Sequence, residues 1–570
     1  MWSLFECGEE GKEKSLGPLV FSNGKTQEDV VKEVISAIDE GHKVIFIKGV
    51  CGTGKSAIAL NIAKELGRAS IVVPVKTLQK QYKDDYTDKK YLLKNNNKLK
   101  INIISGRANF PCPFLKEQNL TPEIKNEKEP EKDAKLSDFE GNENNGNNFD
   151  EINDEEIHSR HNESCDNFFL PCKIEIKEKN LKRIKEYLEM NRNLNFSQFV
   201  SVNQVRRLSI APVCPYWSPI VPSEINLNVL DDAQTLGYKG LKDVNYTFYK
   251  RKPGCGYYGQ YQAYLDADAI IFNSEKYKLE TVMNRKPATD VEIIDECDEF
   301  LDSFSNQKKI NINRLNLALG NLFAESNKTR QIINELIQLT SSILKDKRIN
   351  EEIGPDEIIH IKETEILSLL QYFLDTNFMN YVECDEENYC YHCDEVARTF
   401  DGFFDETYLS FDKEEKSLIV KIVTINLEKR FKEMLDKNKA FVLMSGTIHS
   451  EKVLKDIFGI SDFKIVDAET KMPGKITKSK TGLEINCRYD NFKKNRVTRE
   501  QYLKALAKSI EQAKRPVLVH VNAFTDLPSE QEAKQYNLRI MTREKLKQIQ
   551  AEDSVGEAAR RFKSGQIDIL

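Results

Sequence analysis

Short runs of consecutive apolar residues recur along the chain and predict buried β-strands. A strand that is covered on both faces of a sheet is apolar at successive positions, whereas a half-exposed strand alternates apolar with polar residues. Many segments between the runs have the periodicity of amphipathic helices. This alternation predicts an α/β fold with a parallel sheet that is covered on both faces. The predicted strands span residues 44–47, 70–73, 101–104, 269–272, 292–294, 441–444 and 516–521.

Two long insertions separate the predicted strands into groups, which indicates two α/β lobes. The first insertion, residues 117–163, is rich in Asn, Glu, Lys and Asp. It has too few apolar residues to bury a core, so we expect it to be disordered. The second insertion, residues 310–430, has mostly helical periodicity and no strands of a parallel sheet, so it predicts a mainly helical domain.

Composition and charge narrow the classes of function. The chain has 570 residues, enough for several domains, and its formal net charge of −6 gives no overall basic field. Any nucleic-acid binding must therefore come from local basic and aromatic patches. Residues 1–14 do not resemble a signal peptide, and no apolar run is long enough to span a bilayer, so we expect a cytoplasmic or nucleoid-associated protein without a membrane partner. In a reducing compartment, twelve cysteines favour metal ligands, cluster ligands or buried thiols over disulfides.

The strand at residues 44–47 leads into the sequence Gly49-Val-Cys-Gly-Thr-Gly-Lys-Ser56, which matches the P-loop pattern. Glycines allow backbone N–H groups to surround phosphate oxygens, and the helix predicted at 56–66 adds its positive N-terminal dipole. Lys55 would reach the β- and γ-phosphates of ATP, and Ser56 would bind Mg²⁺. A chance glycine-rich turn is the alternative, which the strand and the helix on either side disfavour. The predicted nucleotide-binding residues are Gly49, Gly52, Thr53, Gly54, Lys55 and Ser56.

A pair of acidic residues follows the strand predicted at 292–294 and supplies the second half of a nucleotide site. Ligands of open α/β sheets bind at the carboxyl ends of the strands, where Asp295 and Glu296 are expected to lie. Asp295 would hold Mg²⁺, and Glu296 would orient and deprotonate the attacking water. A solvated acidic loop is the alternative, and the P-loop makes it the minority interpretation. The predicted catalytic residues are thus Glu296, Asp295 and Lys55.

Further segments resemble one helicase family. Residues 74–81 follow a strand, in the place of helicase motif Ia, and Ser445-Gly-Thr447 resembles motif III. The segment 105–112, Ser-Gly-Arg-Ala-Asn-Phe-Pro-Cys, resembles the beginning of the iron–sulfur domain of XPD and DinG helicases, and Cys255-Gly-Tyr-Tyr258 resembles its end. With the P-loop and the acidic pair, and in this order, these segments resemble the iron–sulfur helicases of superfamily 2 from about residue 21 to residue 570.

The resemblance implies a motor of two RecA-like lobes, the first of which carries an iron–sulfur domain and a mainly helical arch domain as insertions. The implied boundaries are 1–111, 263–309 and 431–450 for the first lobe, 112–262 for the iron–sulfur domain with the disordered insertion at about 117–163, 310–430 for the arch, and 451–570 for an incomplete second lobe.

The resemblance also implies an ATP-dependent DNA helicase that moves 5′ to 3′ on single-stranded or forked DNA, in repair or replication. Its cofactors would be ATP, Mg²⁺ and a 4Fe–4S cluster. Gln27 occupies the position of a glutamine that recognises adenine in this family, although a surface glutamine is an alternative. Two other functions stay open. One is a non-catalytic protein that binds ATP, a cluster and nucleic acid; the other is an RNA-directed translocase, because contacts to the 2′-hydroxyl cannot be deduced from sequence.

Five cysteines lie between the segments that resemble the two ends of the iron–sulfur domain. The resemblance makes Cys112 the first ligand and Cys255 the last, and Cys214 in a Cys-Pro turn looks like a third. The fourth ligand is Cys172 or Cys165, and Cys172 is favoured because it follows a proline. Zn²⁺ also suits four thiolates, and the wide spacing disfavours it only weakly. Simple buried thiols are a further alternative.

A second group of possible metal ligands falls in the predicted arch, where the family pattern gives no metal site. Such short clusters can bind zinc, but a pair of thiols without metal is favoured. The group comprises Cys384, Cys390, His392 and Cys393.

Basic and aromatic residues near the five cysteines suggest a wedge with a rim that guides one nucleic-acid strand by charge and stacking. Packing of the aromatic residues around the cysteines is the alternative and is favoured for most of them. The aromatic residues are Phe110, Tyr216, Trp217, Tyr257 and Tyr258, and the basic ones are Lys173, Arg206, Arg207, Arg251 and Lys252.

Two features depart from the family pattern. Asp298 stands where many members have a histidine that contacts motif III, but related helicases have aspartate there. No residue matches motifs V and VI, and motif VI supplies an arginine worth about 10³–10⁵ in rate in comparable enzymes. We therefore expect a truncated chain that binds ATP but hydrolyses it poorly, and that a C-terminal fragment of the second lobe could complete.

Overall fold

A computed structural model describes most of the chain. Residues 118–163 of the insertion expected to be disordered lie outside the described residues, and so does Cys384. The described residues form two compact units, the first before and the second after residue 472. The residues that the structure describes are 2–7, 13–117, 164–176, 180–191, 205–228, 230–303, 307–322, 327–354, 357–376, 388–414, 417–424, 427–471, 477–488, 491–492, 494, 496–521, 523–551 and 561–570.

A seven-stranded parallel sheet organises the first unit, so the predicted α/β fold with a parallel sheet is confirmed. Across the sheet the strands lie in the order β7-β1-β6-β5-β2-β4-β3. The strand before the P-loop, β1, is therefore separated from the strand before the acidic pair, β5, by β6 alone. The strands are β1 (Val44–Lys48), β2 (Ala69–Val73), β3 (Ile101–Ile104), β4 (Ala269–Asn273), β5 (Val291–Asp295), β6 (Phe441–Ser445) and β7 (Lys464–Asp467).

Alternate residues of the sheet pack into two different hydrophobic cores. In β1, Val44 and Phe46 belong to one core, whereas Ile45 and Ile47 belong to the other. Both faces are buried, which explains why the strands are apolar at consecutive positions. The first of these cores continues into the region of the five cysteines.

Four helices begin near the carboxyl edge of the sheet. The second of them begins inside the P-loop and ends at Gly67, whose φ of 124° is accessible to glycine. A capping box between Thr26 and Asp29 begins the first of them and fixes its start in front of the P-loop. These helices are α1 (Gln27–Asp39), α2 (Lys55–Leu66), α3 (Lys76–Lys83) and α4 (Cys297–Asp302).

The region of the five cysteines combines a three-stranded antiparallel sheet with short helices. Its strands lie in the order Gln234–Lys239, Asn245–Lys250, Ile220–Pro222. The helices include Pro113–Glu117, Leu181–Met190, Arg207–Ile210, Gly256–Gly259 and Ala263–Asp266, and Ser274–Val282 follows β4. At the N-terminus, Phe5–Cys7 pairs with Glu13–Ser15 and Lys90–Tyr91, and Leu93–Lys94 pairs with Asn97–Lys98.

The predicted arch region folds around its own core. Helices are present as expected. The region also contains a four-stranded antiparallel sheet that was not predicted, with the strand order Gln307–Asn311, Ser417–Thr424, Thr407–Glu414, Ile359–His360. The helices are Ile312–Gly320, Asn327–Lys345, Glu365–Asp375 and Tyr389–Phe400, and Leu427–Lys437 leads back to β6.

The second unit has a small core that contains Leu503, Ile510 and Leu538. The strand predicted at 516–521 is present only as a short parallel pairing, in which Val517 bridges to Ile569 and Val519 N donates to Leu570 O at 2.8 Å. The described helices are Arg499–Gln512, Glu530–Gln535 and Arg543–Ala551, and Glu451–Asp456 precedes β7 in the first unit. Among all described helices of the chain, none combines the length and the apolar character that crossing a membrane requires.

Candidate nucleotide site and cysteine pocket

The P-loop connects β1 to α2 through glycines in conformations that other residues rarely adopt. Gly52 and Gly54 have φ values of 91° and 73°. A Cβ atom at Gly49 would lie 3.0 Å from the Thr53 side chain, and one at Gly54 would lie 2.3 Å from Gln27 Nε2. The turn therefore depends on glycine at these three positions.

Lys55 meets both predicted catalytic carboxylates at the carboxyl edge of the sheet. Its Nζ donates to Glu296 Oε1 at 2.6 Å and lies 3.8 Å from Asp295 Oδ1. The lysine and Glu296 are 241 residues apart in sequence, so only the fold brings them together. Glu296 has left-handed backbone angles, φ 53° and ψ 57°, a conformation that costs about 1–2 kcal/mol in an L-residue. This sharp turn after β5 lets the acidic pair contact the P-loop lysine.

Burial and charge oppose each other in this group. Burial raises the pKa of Asp295 to about 6, since the lost hydration outweighs the favourable charge of Lys55. Burial alone would lower the pKa of Lys55, but the bond to Glu296 and the charge of Asp295 outweigh it and raise this pKa. The lysine is therefore charged at neutral pH, as binding to a polyphosphate requires.

Asp298 connects α4 to the segment that resembles motif III. Its Oδ1 accepts from Ser445 Oγ at 2.7 Å, and its Oδ2 accepts from Thr447 Oγ1 at 2.6 Å. Burial would raise the pKa of Asp298, but these two hydrogen bonds outweigh it and lower the pKa. Asp298 therefore links the start of α4 to the segment Ser445-Gly-Thr447 through both of its carboxylate oxygens.

Gln27 is buried and ties the segment before α1 to the P-loop. Its Nε2 donates to Thr53 O at 2.9 Å, and its Oε1 accepts from Leu19 N at 2.9 Å. Only 3% of Gln27 is exposed, so the alternative of a surface glutamine is wrong. Recognition of adenine by Gln27 stays a prediction.

No sequence motif marks Glu469, which the unpredicted strand β7 brings to the P-loop. Its backbone oxygen accepts from Val50 N at 2.8 Å. Its carboxylate accepts from Ser22 N at 2.7 Å and from Ser22 Oγ at 2.6 Å, and these bonds lower its pKa to about 2. The segment after β7 thus holds both the P-loop and the chain before α1.

The five cysteines expected at the cluster converge in one buried region, and none of them forms a disulfide. Cys165 Sγ lies 3.7 Å from Cys255 Sγ and also hydrogen-bonds Cys112. Cys172 hydrogen-bonds Cys214. The alternative ligands Cys165 and Cys172 therefore both lie among the other three thiols, and contact alone does not separate them.

Arg107 contacts this thiol group from the segment that resembles the start of the iron–sulfur domain. Its Nη1 lies 3.6 Å from Cys172 Sγ, and its guanidinium stacks 4.3 Å from the centre of the Tyr257 ring. The bond from Cys214 and, against burial, the charges of Arg107 and Arg207 lower the pKa of Cys172 to about 5. The pocket therefore favours a thiolate at Cys172.

The described cysteines of the two groups do not form a preformed metal-binding site. Within the ranges that the structure describes, no set of three or more His, Cys, Asp or Glu side chains is arranged to hold a metal ion. In the arch, Cys390 and Cys393 are fully buried on one helix, while His392 Nε2 donates to Lys309 O at 2.8 Å. The described members of this second group are thus packed as core residues, and Cys384 lies outside the described residues.

Part of the basic half of the hypothetical wedge is wrong, because Arg207, Arg251 and Lys173 form their contacts inside the domain. Arg207 is buried and donates to Pro171 O at 3.2 Å and to Ile174 O at 2.7 Å. Arg251 bonds Asp232, and the buried Lys173 pairs with Asp166, whereas the exposed Lys252 pairs with Glu117 at the surface. Sequence spacing placed these residues near the cysteines but could not show that their charges are used within the domain.

The aromatic residues of the hypothetical wedge pack around the cysteines, which is the alternative favoured from the sequence. Tyr216, Trp217, Tyr257 and Tyr258 are all buried in the core that contains the five cysteines, and Phe110 packs against it. Their rings therefore line the region of the five cysteines, which is called the cysteine pocket below.

Comparison with known proteins relates one part of the chain to a family model. Residues 22–200, which include the P-loop, match the family model for the res subunit of type III restriction enzymes. Comparison with curated protein sequences finds no match.

Solved structures similar to this chain include three of XPD type. An XPD helicase is 13% identical with a TM-score of 0.38, over 90% of this chain and 78% of its own. A truncated XPD is 13% identical with a TM-score of 0.33, over 78% of this chain and 99% of its own. The Xpd4 protein of S. tokodaii is 12% identical with a TM-score of 0.36, over 95% of this chain and 79% of its own. The matched family model relates residues 22–200 to the res subunit of type III restriction enzymes, and the order of the motifs in the sequence resembles that of superfamily 2 helicases.

Proposed function

We propose that the protein is an ATP-dependent DNA helicase that couples ATP hydrolysis to 5′-to-3′ movement on single-stranded DNA, in repair or replication. The observation that carries the proposal is the contact of the P-loop Lys55 with Glu296 and Asp295. The link from Asp298 to Ser445 and Thr447 supports it, because a motor must connect its nucleotide site to other elements.

Each residue of the nucleotide site has a separate role in the proposal. Lys55 exchanges its bonds to the acidic pair for bonds to the β- and γ-phosphates. The Ser56 hydroxyl and the Asp295 carboxylate are oxygen donors of the kind that Mg²⁺ prefers, and they would hold it together with the phosphates. Magnesium would neutralise charge on the phosphate oxygens. Glu296, once released by Lys55, orients the attacking water and accepts its proton.

A basic face of α3 is the proposed contact for the DNA backbone. The helix follows β2 in the place of motif Ia, and three of its lysines are exposed at the spacing of one helical face. Lysines neutralise phosphates without reading sequence, as a translocating motor requires. The residues are Lys76, Lys80 and Lys83.

Strand displacement tests the proposal. The chain is incubated with ATP and Mg²⁺ and with duplexes that carry a 5′ or a 3′ single-stranded DNA tail. We expect only slow displacement from the 5′-tailed duplex, in line with the poor ATP hydrolysis expected above, and we expect Glu296→Gln to bind ATP but displace nothing, because it lacks the base. Preference for an RNA tail would indicate the RNA-directed translocase. A chain that binds ATP and DNA yet unwinds neither duplex would favour the non-catalytic binding protein.

We also propose that the cysteine pocket holds a 4Fe–4S cluster through Cys112, Cys172, Cys214 and Cys255. Five buried thiols in one region, none in a disulfide, supply the donor atoms that such a cluster needs. Cys165 is the alternative to Cys172, because it contacts both Cys112 and Cys255.

Metal content after anaerobic purification tests the cluster and its fourth ligand. We expect about four iron atoms per chain with visible absorption in the wild type, falling below about one in Cys172→Ser and persisting in Cys165→Ser. The opposite pattern would assign Cys165 as the ligand. Stoichiometric zinc in place of iron, or no metal in the wild type, would contradict the cluster.

A further inference from the structure

Tyr82 is a completely buried tyrosine of α3 to which the nucleotide site described above assigns no role. Its hydroxyl donates to Asp295 Oδ2 at 3.3 Å. Burial raises the pKa of Tyr82 well above its ordinary value, and a hydrogen bond with the Ser56 side chain opposes this rise. One phenol therefore touches both side chains of this chain that are proposed to hold Mg²⁺.

These contacts exceed what packing requires. A phenylalanine would fill the same space, whereas a buried hydroxyl is costly unless it finds hydrogen-bond partners. Tyr86, one turn later, has its ring centre 6.1 Å from that of Tyr82 and lies partly buried in the same region. Tyr82 is the tyrosine of the two whose hydroxyl reaches Ser56 and Asp295.

We propose that Tyr82 is a positioning residue that orients the Asp295 carboxylate, and with it the Ser56 hydroxyl, for Mg²⁺ binding. The inference rests on the proposed nucleotide site and extends it. Tyr82 lies on α3, the helix that carries the basic face. Through Tyr82, this helix therefore contacts the proposed magnesium ligands directly.

Binding of N-methylanthraniloyl-ATP, titrated with Mg²⁺, tests this role in the full chain. In Tyr82→Phe we expect the Mg²⁺ midpoint to rise about 2- to 10-fold, the loss that one hydrogen bond causes. Binding without Mg²⁺ and the thermal midpoint should stay unchanged, because the ring and the P-loop are kept.

Tyr86→Phe is the matched control, and its Mg²⁺ midpoint should equal that of the wild type. An unchanged midpoint in Tyr82→Phe would overturn the inference. Equal loss of binding with and without Mg²⁺, or an equal effect in both variants, would also overturn it by showing a merely structural role. Failure of the proposed nucleotide site would differ from all of these, because the wild type itself would not bind the analogue.

Discussion

Replacing Lys55 by alanine is expected to weaken ATP binding by about 10- to 150-fold, because hydrogen bonds to a charged group contribute about 1.5–3 kcal/mol. The lysine is charged and contacts the acidic pair, so its removal takes away the cation that would compensate the β- and γ-phosphates. Equilibrium titration with N-methylanthraniloyl-ATP in the presence of Mg²⁺ measures the loss.

Lys32→Ala is a suitable control, because Lys32 is exposed on α1 and pairs only weakly with Glu28 at 3.3 Å. Its affinity for the analogue should remain within about twofold of the wild type. Equal affinities of Lys55→Ala and Lys32→Ala would remove Lys55 from the nucleotide site and, with it, the observation on which the proposed motor depends.

Glu280→Gln is expected to destabilise the first unit by about 3–5 kcal/mol, because it leaves buried cations without their counter-charge. Glu280 is fully buried and accepts from Arg285 Nε at 2.9 Å and from Arg285 Nη2 at 2.8 Å. Lys276 Nζ lies 2.9 Å from its Oε1. Urea denaturation at neutral pH measures the change in the free energy of unfolding.

Glu275→Gln is the control on the same helix, because Glu275 is about half exposed and pairs with Lys278 at the surface. Its free energy of unfolding should change by less than about 1 kcal/mol. Similar losses in the two variants would show that the buried pairing contributes no more than a surface ion pair.

The same carboxylate predicts a direction for acid sensitivity. Burial alone would raise the pKa of Glu280, but the charges of Arg285 and Lys276 outweigh it and hold the pKa at about 2. The folded pKa is thus below the ordinary value of 4.5, so the stabilisation is present above that value and is lost as the pH falls towards 2. The stability difference between the wild type and Glu280→Gln should therefore narrow below pH 4.5.

The strands of the seven-stranded sheet could be predicted because burial on both faces produces runs of consecutive apolar residues. Six of its seven strands fall within one or two residues of the predicted ranges. The seventh, β7, was missed because Val466 is its one buried residue, which gives no apolar run. The arch strand Thr407–Glu414 interrupts its apolar residues with polar ones, as antiparallel strands often do, so it leaves no continuous apolar run. Its partner Ser417–Thr424 does contain the run Leu418-Ile-Val420 and was nevertheless not predicted.

Some residues of the candidate sites could likewise be identified from sequence, whereas the roles of others could not. The glycine spacing of the P-loop and the acidic pair after β5 could be identified directly, because a turn that binds phosphate and a strand that ends in carboxylates are local features. Arg207 shows the limit: its sequence position suggested nucleic-acid binding, but its guanidinium is buried against the backbone oxygens of Pro171 and Ile174. The charge of a residue alone does not reveal whether its side chain forms hydrogen bonds inside a domain or remains available to a ligand.

The amino-acid sequence by itself determined the order of motifs, the parallel sheet and the residue types at the nucleotide site. The tertiary structure decided which distant residues meet: Lys55 with Glu296, Tyr82 with Asp295, and Cys165 with Cys255. The physical reason is that local spacing follows from helix and strand geometry, whereas contacts between residues far apart in sequence depend on how strands are ordered and helices packed. A tyrosine with no motif of its own can therefore lie between two proposed magnesium ligands.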